Sequence, residues 1–114
     1  MSDTPELGAL RVETRANQDS AVVVVLSGEL DLSTVNRFVN AIDDALDERP
    51  PVVELDLSQL TFIDSSGVGA YVTAFRRAKA QGTSLCVGNR SALVQRVLEL
   101  SGVEEALAAE AAQN

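Results

Sequence analysis

The sequence contains no histidine and no tryptophan, and its single cysteine is Cys86. The absence of histidine removes the commonest general base and the commonest metal ligand among side chains. Any enzymatic chemistry would therefore depend on carboxylates or on the single lysine, Lys79. One cysteine forms neither an internal disulfide nor a zinc site by itself. Because Cys86 lies in the apolar run 85–87, we expect its thiol to be buried and unreactive.

Aromatic residues make up only 4% of the 114 residues, whereas hydrophobic residues make up 46%, so the core must be mainly aliphatic. The net charge of −8 argues against a nucleic-acid partner, which would require clustered Lys and Arg. No apolar run approaches the roughly 18 residues of a membrane span, and neither a polybasic run nor a signal peptide is evident. The sequence therefore predicts a single cytoplasmic domain without a nucleic-acid or membrane partner.

Hydrophobic periodicity predicts strands that alternate with helices, and this alternation is typical of an α/β fold with a largely parallel sheet. The predicted strands are residues 10–15, 21–26, 52–57, 60–64 and 84–87. The predicted helices are a segment that begins at Ser33 or Thr34 and ends before Pro50, then residues 66–81 and 91–100, and a weak terminal helix over 104–112.

The predicted helix 66–81 carries two stripes of different character. Val68, Val72 and Phe75 form the predicted core stripe. The other stripe is small and carries one ring, and it permits close approach by a partner that Tyr and Arg would anchor. We interpret it either as a partner surface or as a contact with a neighbouring helix. Its members are Gly67, Ala70, Tyr71, Ala74 and Arg77.

Residues 61–69, TFIDSSGVG, lead from the end of a strand into the start of a helix. Backbone N–H groups at a helix start lack partners and carry the positive end of the helix dipole, so an anion is stabilised there. Ser65 and Ser66 lie at this position, and the glycines allow close approach. Their hydroxyls either cap the helix or accept a phosphoryl group.

Two catalytic interpretations of this turn fail on their sequence requirements. A nucleophile elbow needs glycine two residues before Ser65, where Ile63 stands, and a base that the missing histidine would supply. A phosphate-binding loop needs a longer spacing between its glycines, followed by a lysine and a hydroxyl.

A third catalytic interpretation uses carboxylates at the edge where parallel strands end. Asp31, Asp56 and Asp64 are candidate magnesium ligands, and Arg90 is the nearest cation for a phosphate. We consider capping of helices the more common role of such residues. A magnesium-dependent phosphohydrolase that uses these carboxylates is the alternative function from a different class.

A phosphorylated hydroxyl offers a different function for the same turn. Phosphorylation adds about −1.5 to −2 charges, which a helix start tolerates. A partner that packs over the hydroxyl would meet this charge, and juxtaposed like charges cost several kcal/mol. Modification would therefore switch binding off without unfolding the domain.

Three motifs together resemble a known family. DSSGVG at 64–69 follows an apolar strand, GELD at 28–31 precedes the first helix, and LELSG at 98–102 closes the third. In order and spacing they resemble the STAS family of anti-sigma factor antagonists. The resemblance covers residues 10–107 and leaves a disordered lead-in at 1–9 and a frayed tail at 108–114.

The resemblance implies a single-domain β-α superhelical fold, with a mixed, mostly parallel sheet of four or five strands and helices at the second and later crossovers. It also implies partner switching, in which the unphosphorylated protein binds an anti-sigma factor that is also a serine kinase and releases a sigma factor. The kinase uses ATP and magnesium, and a serine phosphatase reverses the reaction. The chain would then be a substrate and not an enzyme, with no cofactor and no metal of its own.

By resemblance, the phosphate acceptor is the hydroxyl residue directly after the motif aspartate, which is Ser65. Ser66 is expected to cap the helix, and Asp31, Asp64 and Gly67 are expected to surround the acceptor. The partner is expected to contact the loop after the second strand and the second helix. The expected partner-binding residues are Glu29, Asp31, Ser33, Gly67, Ala70, Tyr71, Ala74 and Arg77.

Within the same family, the alternatives are a scaffold subunit of a stress-sensing assembly and a regulatory module resembling those on anion transporters. The sequence does not distinguish a monomer from a dimer.

Overall fold

The computed structural model describes residues 9–17 and 19–112, so the predicted disordered lead-in lies outside the described residues except for Ala9. Strands and helices alternate along most of the chain, as the periodicity predicts. The elements are β1 (Leu10–Ala16), β2 (Val22–Leu30), α1 (Val35–Asp47), β3 (Val52–Ile63), α2 (Ser65–Ala80), β4 (Ser84–Arg90), α3 (Ala92–Ser101) and α4 (Val103–Ala112).

The four strands form one sheet in the order β1-β2-β3-β4. β1 pairs with β2 in the antiparallel sense, whereas β2 with β3 and β3 with β4 are parallel. One helix makes each parallel crossover, α1 between β2 and β3 and α2 between β3 and β4. The predicted α/β fold with a mixed, mostly parallel sheet is therefore confirmed.

The core lies between one face of the sheet and the helices. α1 packs against β1 and β2, and α2 packs against β3, β4 and α1. Along β3 the side chains alternate in burial: Val53 and Leu55 are buried, whereas Glu54 and Asp56 are only half-buried. Because successive strand residues point to opposite faces, these two acids lie on the face away from the core.

β2 and β3 extend further than the sequence predicts. β2 continues through the polar residues 27–29 to Leu30, and β3 is one strand that includes the separately predicted segment 60–64 up to Ile63. Two register shifts between the strands accommodate these residues without ending the ladder. The two strands therefore end side by side, with Leu30 paired to Ile63.

The C-terminal helix covers the whole segment 104–112 for which the sequence predicts a weak helix. α4 continues to Ala112, so the predicted frayed tail is helical over residues 108–112, and 113–114 lie outside the described residues. The Arg76 guanidinium of α2 donates to both carboxylate oxygens of Glu110, at 3.1 and 2.6 Å, and connects α4 to α2. No helix in the described part of the chain is long and apolar enough to cross a bilayer.

The stripe of α2 that contains Gly67 and Tyr71, for which the sequence left two interpretations, faces the sheet. The buried residues of α2 are Gly67, Tyr71, Ala74 and Ala78. The predicted core stripe of Val68, Val72 and Phe75 is only half-buried at the margin of the core. The interpretation of the small stripe as a partner surface is therefore wrong at Gly67, Tyr71 and Ala74, because the small residues allow α2 to lie close to the sheet.

The prediction of a buried Cys86 is also wrong. β4 is the last strand of the sheet, and its side chains alternate, with Leu85 buried and Cys86 exposed. The apolar run 85–87 indicated a strand covered on both faces, but the helices cover only one.

Candidate functional site

Asp64 caps the start of α2. Its Oδ1 accepts hydrogen bonds from the backbone N–H groups of Ser66, at 2.9 Å, and of Gly67, at 3.2 Å. These bonds satisfy two of the N–H groups that a helix start leaves without partners. The expectation that Ser66 caps the helix is therefore wrong, because the Asp64 carboxylate, two residues before Ser66, accepts these hydrogen bonds.

Ser65 is the first residue of α2, and its side chain is exposed. Within residues 9–17 and 19–112, its hydroxyl has no hydrogen-bond partner, because Asp64 caps the helix instead. The hydroxyl is therefore accessible at the positive end of the α2 dipole.

The loop between β2 and α1 is organised around Asp31. Its Oδ1 accepts hydrogen bonds from the Ser33 hydroxyl at 2.7 Å, from the Ser33 N–H at 2.9 Å and from the Thr34 N–H at 3.2 Å. These bonds, foremost the one from the Ser33 hydroxyl, hold the pKa of Asp31 below its ordinary value of 3.8. The hydroxyl of buried Thr34 donates to the Glu29 carbonyl oxygen at 2.8 Å and so connects the loop to the end of β2.

One backbone hydrogen bond joins this loop to the start of α2. The Asp64 N–H donates to the Leu30 carbonyl oxygen at 3.2 Å. Asp31 and Ser65 follow directly after these two residues, so both leave the same edge of the sheet. The structure therefore brings together the two segments that the motifs single out.

Of the expected partner-binding residues, those at the end of β2 and in the β2–α1 loop are accessible at this edge. Ser33 is exposed, and Glu29 and Asp31 are partly exposed. On α2, Ala70 is partly exposed and packs at the margin of the core.

Arg77 lies away from this edge. It is twelve residues beyond Ser65 on α2, which is about 18 Å along the helix axis. Its guanidinium forms ion pairs with Asp43 and Asp47 of α1. Arg77 therefore connects two helices and does not belong to the cluster around Ser65.

Two exposed apolar side chains near the edge were not predicted as site residues. Leu32 is 76% exposed between Asp31 and Ser33, and Phe62 is 44% exposed on β3, where it pairs with Glu29. Leu32 had a sequence signal, because it is a large apolar residue in a polar loop. Phe62 had none, since strand alternation does not indicate which face of the sheet the helices cover.

The aspartates of the rival phosphohydrolase do not form a cluster. Asp56 lies within β3, where its Oδ1 accepts from the Ser58 hydroxyl at 2.7 Å, whereas Asp64 lies beyond the strand. Over the described ranges, no three His, Cys, Asp or Glu side chains come together as metal ligands. Arg90, the expected cation for a phosphate, instead forms a bidentate ion pair with Glu104 of α4. Its Nη1 and Nη2 donate to the two carboxylate oxygens at 2.7 and 3.1 Å.

The motifs, the fold and the arrangement of this edge agree with a comparison against known families. Residues 13–109 match a family model described as "Mlab, STAS domain". The chain belongs to the STAS domain family. The resemblance inferred from DSSGVG, GELD and LELSG is confirmed.

Individual STAS relatives are regulatory proteins. An anti-sigma F factor antagonist from Paenibacillus polymyxa is 32% identical over 83 residues, which cover 72% of this chain and 71% of the relative. The crystal structure of an anti-sigma factor antagonist from Mycobacterium paratuberculosis matches with a TM-score of 0.80 at 24% identity, over 90% of this chain and 86% of that one. This second likeness supports the fold alone.

The Bacillus cell fate determinant SpoIIAA matches in two forms. The unphosphorylated form has a TM-score of 0.69 at 27% identity and covers 82% of both chains. The phosphorylated form has a TM-score of 0.65 at 26% identity, over 83% of this chain and 86% of that one. These relatives are named as anti-sigma factor antagonists or as a cell fate determinant, which supports the same general regulatory role and an anti-sigma factor as partner.

Proposed function

We propose that this STAS domain is an anti-sigma factor antagonist whose unphosphorylated form binds an anti-sigma factor that is also a serine kinase, and thereby releases a sigma factor. The kinase transfers phosphate from ATP, with magnesium, to Ser65 and so ends the interaction, and a serine phosphatase restores it. The proposal rests on the Ser65 hydroxyl, which is exposed and has no hydrogen-bond partner among the described residues. It lies at the same sheet edge as Asp31.

The position of Ser65 suits reversible phosphorylation. Asp64 already caps α2, so modification of the Ser65 hydroxyl breaks no hydrogen bond between described residues. The phosphate would lie at the positive end of the helix dipole, where about two negative charges are tolerated. The relative SpoIIAA is known in a phosphorylated form, which supports the same chemistry here.

The surroundings of Ser65 suit a docking partner. Leu32 and Phe62 offer exposed apolar surface, and Glu29, Asp31 and Ser33 add polar groups, which is the usual composition of an interface with an apolar centre and a polar rim. Hydrogen bonds, foremost the one from the Ser33 hydroxyl, lower the pKa of Asp31. A partner that packs over this edge would cover the roughly two added negative charges of a phosphate on Ser65, and a charge buried in an interface without a pairing group is costly.

The decisive experiment locates the phosphate. The chain is incubated with candidate histidine-kinase-like anti-sigma factors and ATP with magnesium, and the modified residue is identified by mass spectrometry. We expect labelling at Ser65, no labelling of Ser65→Ala, and normal labelling of the matched control Ser66→Ala. Phosphate on another residue of the wild-type chain would overturn the proposal.

A further inference from the structure

β1 has an outer edge that the described residues leave almost unbonded. The Ala9 carbonyl accepts from the Glu29 N–H, and hydrogen-bonded pairs alternate along an antiparallel ladder. The odd-numbered residues of β1 therefore bond to β2, and the even-numbered residues direct their N–H and C=O groups outward. Arg37 donates to the outward Leu10 carbonyl at 2.8 Å. No described residue bonds the outward backbone groups of Val12, Thr14 and Ala16.

Two features that usually protect an edge strand from pairing, proline and a bulge, are missing from β1. Proteins protect such edges with proline, with bulges or with charged side chains. β1 contains no proline, and its register with β2 is continuous from Leu10 to Ala16. Its exposed charges are of both signs, with Glu13 between Arg11 and Arg15. This alternation allows β1 to be complementary to itself.

We infer that β1 pairs antiparallel with β1 of a second copy of the chain, around a two-fold axis at Thr14, and extends the sheet across both copies. In this register Thr14 exchanges backbone hydrogen bonds with Thr14 of the partner subunit, and Val12 does so with Ala16 of the partner subunit. Glu13 then lies opposite Arg15 of the partner subunit in a pair without backbone bonds, the type that brings side chains closest. The two-fold axis repeats this ion pair.

The structure also selects this register over another one that pairs opposite charges. A two-fold axis at Val12 would place Arg11 opposite Glu13 of the partner subunit. That arrangement uses the Leu10 carbonyl in the ladder, where the Arg37 guanidinium already lies. The axis at Thr14 uses only outward groups that no described residue bonds, and it keeps the contact between Arg37 and Leu10.

A second strand would also cover a groove beside β1. The groove has a volume of about 1150 Å³ between β1 and α1 and includes Val12, Thr14 and Ala16 on the strand side. Val12 is only half-buried at its floor and would gain apolar contact with Ala16 of the partner subunit. The charged groups that face the groove from α1 and its C-terminal cap are Arg37, Asp44 and Glu48.

Charge exchange tests the pairing and its register together. Sedimentation equilibrium of the full chain at several concentrations should show a monomer–dimer equilibrium. Glu13→Arg and Arg15→Glu should each weaken dimerisation by about tenfold, because each places like charges opposite one another at both symmetric positions. The double variant should restore wild-type affinity. The matched control Arg11→Glu, which lies opposite no charge in this register, should dimerise as the wild type does.

Amide hydrogen exchange gives a second readout. The Thr14 amide should exchange more slowly as the protein concentration rises. Thr14→Pro should abolish the dimer, because proline has no N–H to donate to the partner strand. The domain itself should still fold, since proline is tolerated where a strand N–H faces outward. A monomer at every concentration would overturn the inference, as would a double variant no tighter than the single variants. Protection of Thr14 that does not depend on concentration would mean that another segment of the same chain covers the edge, which also overturns it.

Discussion

Gly67 packs so closely against Leu30 that a Cβ at position 67 would lie 2.8 Å from the Leu30 Cγ. The same Cβ would lie 2.9 Å from the Ile63 Cγ1, so the ends of two parallel strands hold the first turn of α2. This contact places Ser65 beside the loop of Asp31. The geometry of the proposed switch therefore depends on the absence of a side chain at one buried position.

Gly67→Ala should destabilise the domain. The added methyl group overpacks the contact with Leu30 and Ile63, which typically costs about 1–3 kcal/mol and exceeds the helix-propensity gain of about 1 kcal/mol. Urea unfolding measures the effect. The matched control is Gly69→Ala on the same helix, where a Cβ meets nothing within 4 Å and stability should rise by about 0.5–1 kcal/mol. Equal stability of the two variants would show that α2 is not held as described.

Asp64→Ala should lower the free energy of unfolding by about 0.5–2 kcal/mol, the usual cost of a lost helix cap. The reason is that the N–H groups of Ser66 and Gly67 lose their acceptor. Asp64→Asn keeps an acceptor oxygen and should lose much less, and Ser66→Ala should be close to wild type. Thermal unfolding compares the three, and a larger loss for Ser66→Ala than for Asp64→Ala would contradict the assignment of the cap.

Ser65→Asp should bind the cognate anti-sigma factor at least about tenfold more weakly than wild type, and Ser65→Ala should bind about as tightly as wild type. A single added charge at the interface is enough for such a loss, since about 1.4 kcal/mol corresponds to a factor of ten. Titration calorimetry with the purified partner gives both affinities. Binding of Ser65→Asp at wild-type strength would argue against charge as the switch.

Leu32→Ala should weaken binding of the anti-sigma factor by about tenfold, because full burial of a Leu side chain is worth about 1.5–3 kcal/mol and Ala retains only part of this. The stability of the free domain should change little, since the side chain is 76% exposed. Leu100→Ala is the matched control, because Leu100 is 77% exposed but lies at the end of α3. Equal affinities of the two variants would remove Leu32 from the proposed interface.

The Asp31 carboxyl should titrate below 3.8, because hydrogen bonds, foremost from the Ser33 hydroxyl, lower its pKa. A lowered pKa in the folded state means that this group stabilises the fold above pH 3.8, and that the contribution is lost as the pH falls through the folded pKa. Carbon-detected NMR titration measures the value. Ser33→Ala should raise it toward the ordinary one, and an unchanged value would show that Ser33 is not the cause.

The order of elements and the position of the candidate phosphate acceptor were accessible from the sequence. The helices after residues 33 and 90, and the terminator Gly102 with its positive φ of 67°, follow from local spacing and capping rules, which act over a few residues. The motif DSSGVG indicated both the helix start and the candidate hydroxyl. These features depend on chemistry between neighbours in the chain.

Contacts between distant segments were not accessible in the same way. Periodicity located two stripes on α2 but did not indicate that the stripe with Gly67 and Tyr71 packs on the sheet. Cys86 was assigned to the interior for the same reason, since an apolar strand gives no sign of how many faces the helices cover. The exposed Phe62 was missed because the pattern of β3 does not specify which side is open.

The sequence by itself determined the alternation of strands and helices, the net negative charge and the hydroxyl at the N-terminus of α2, because composition and short-range spacing specify each of them. Only the tertiary structure decided which aspartate caps that helix, which apolar side chains stay exposed near Ser65, and which backbone groups of β1 face outward. Those outcomes depend on sheet register and on the approach of α2 to the strand ends, and such contacts join residues that are far apart in the chain.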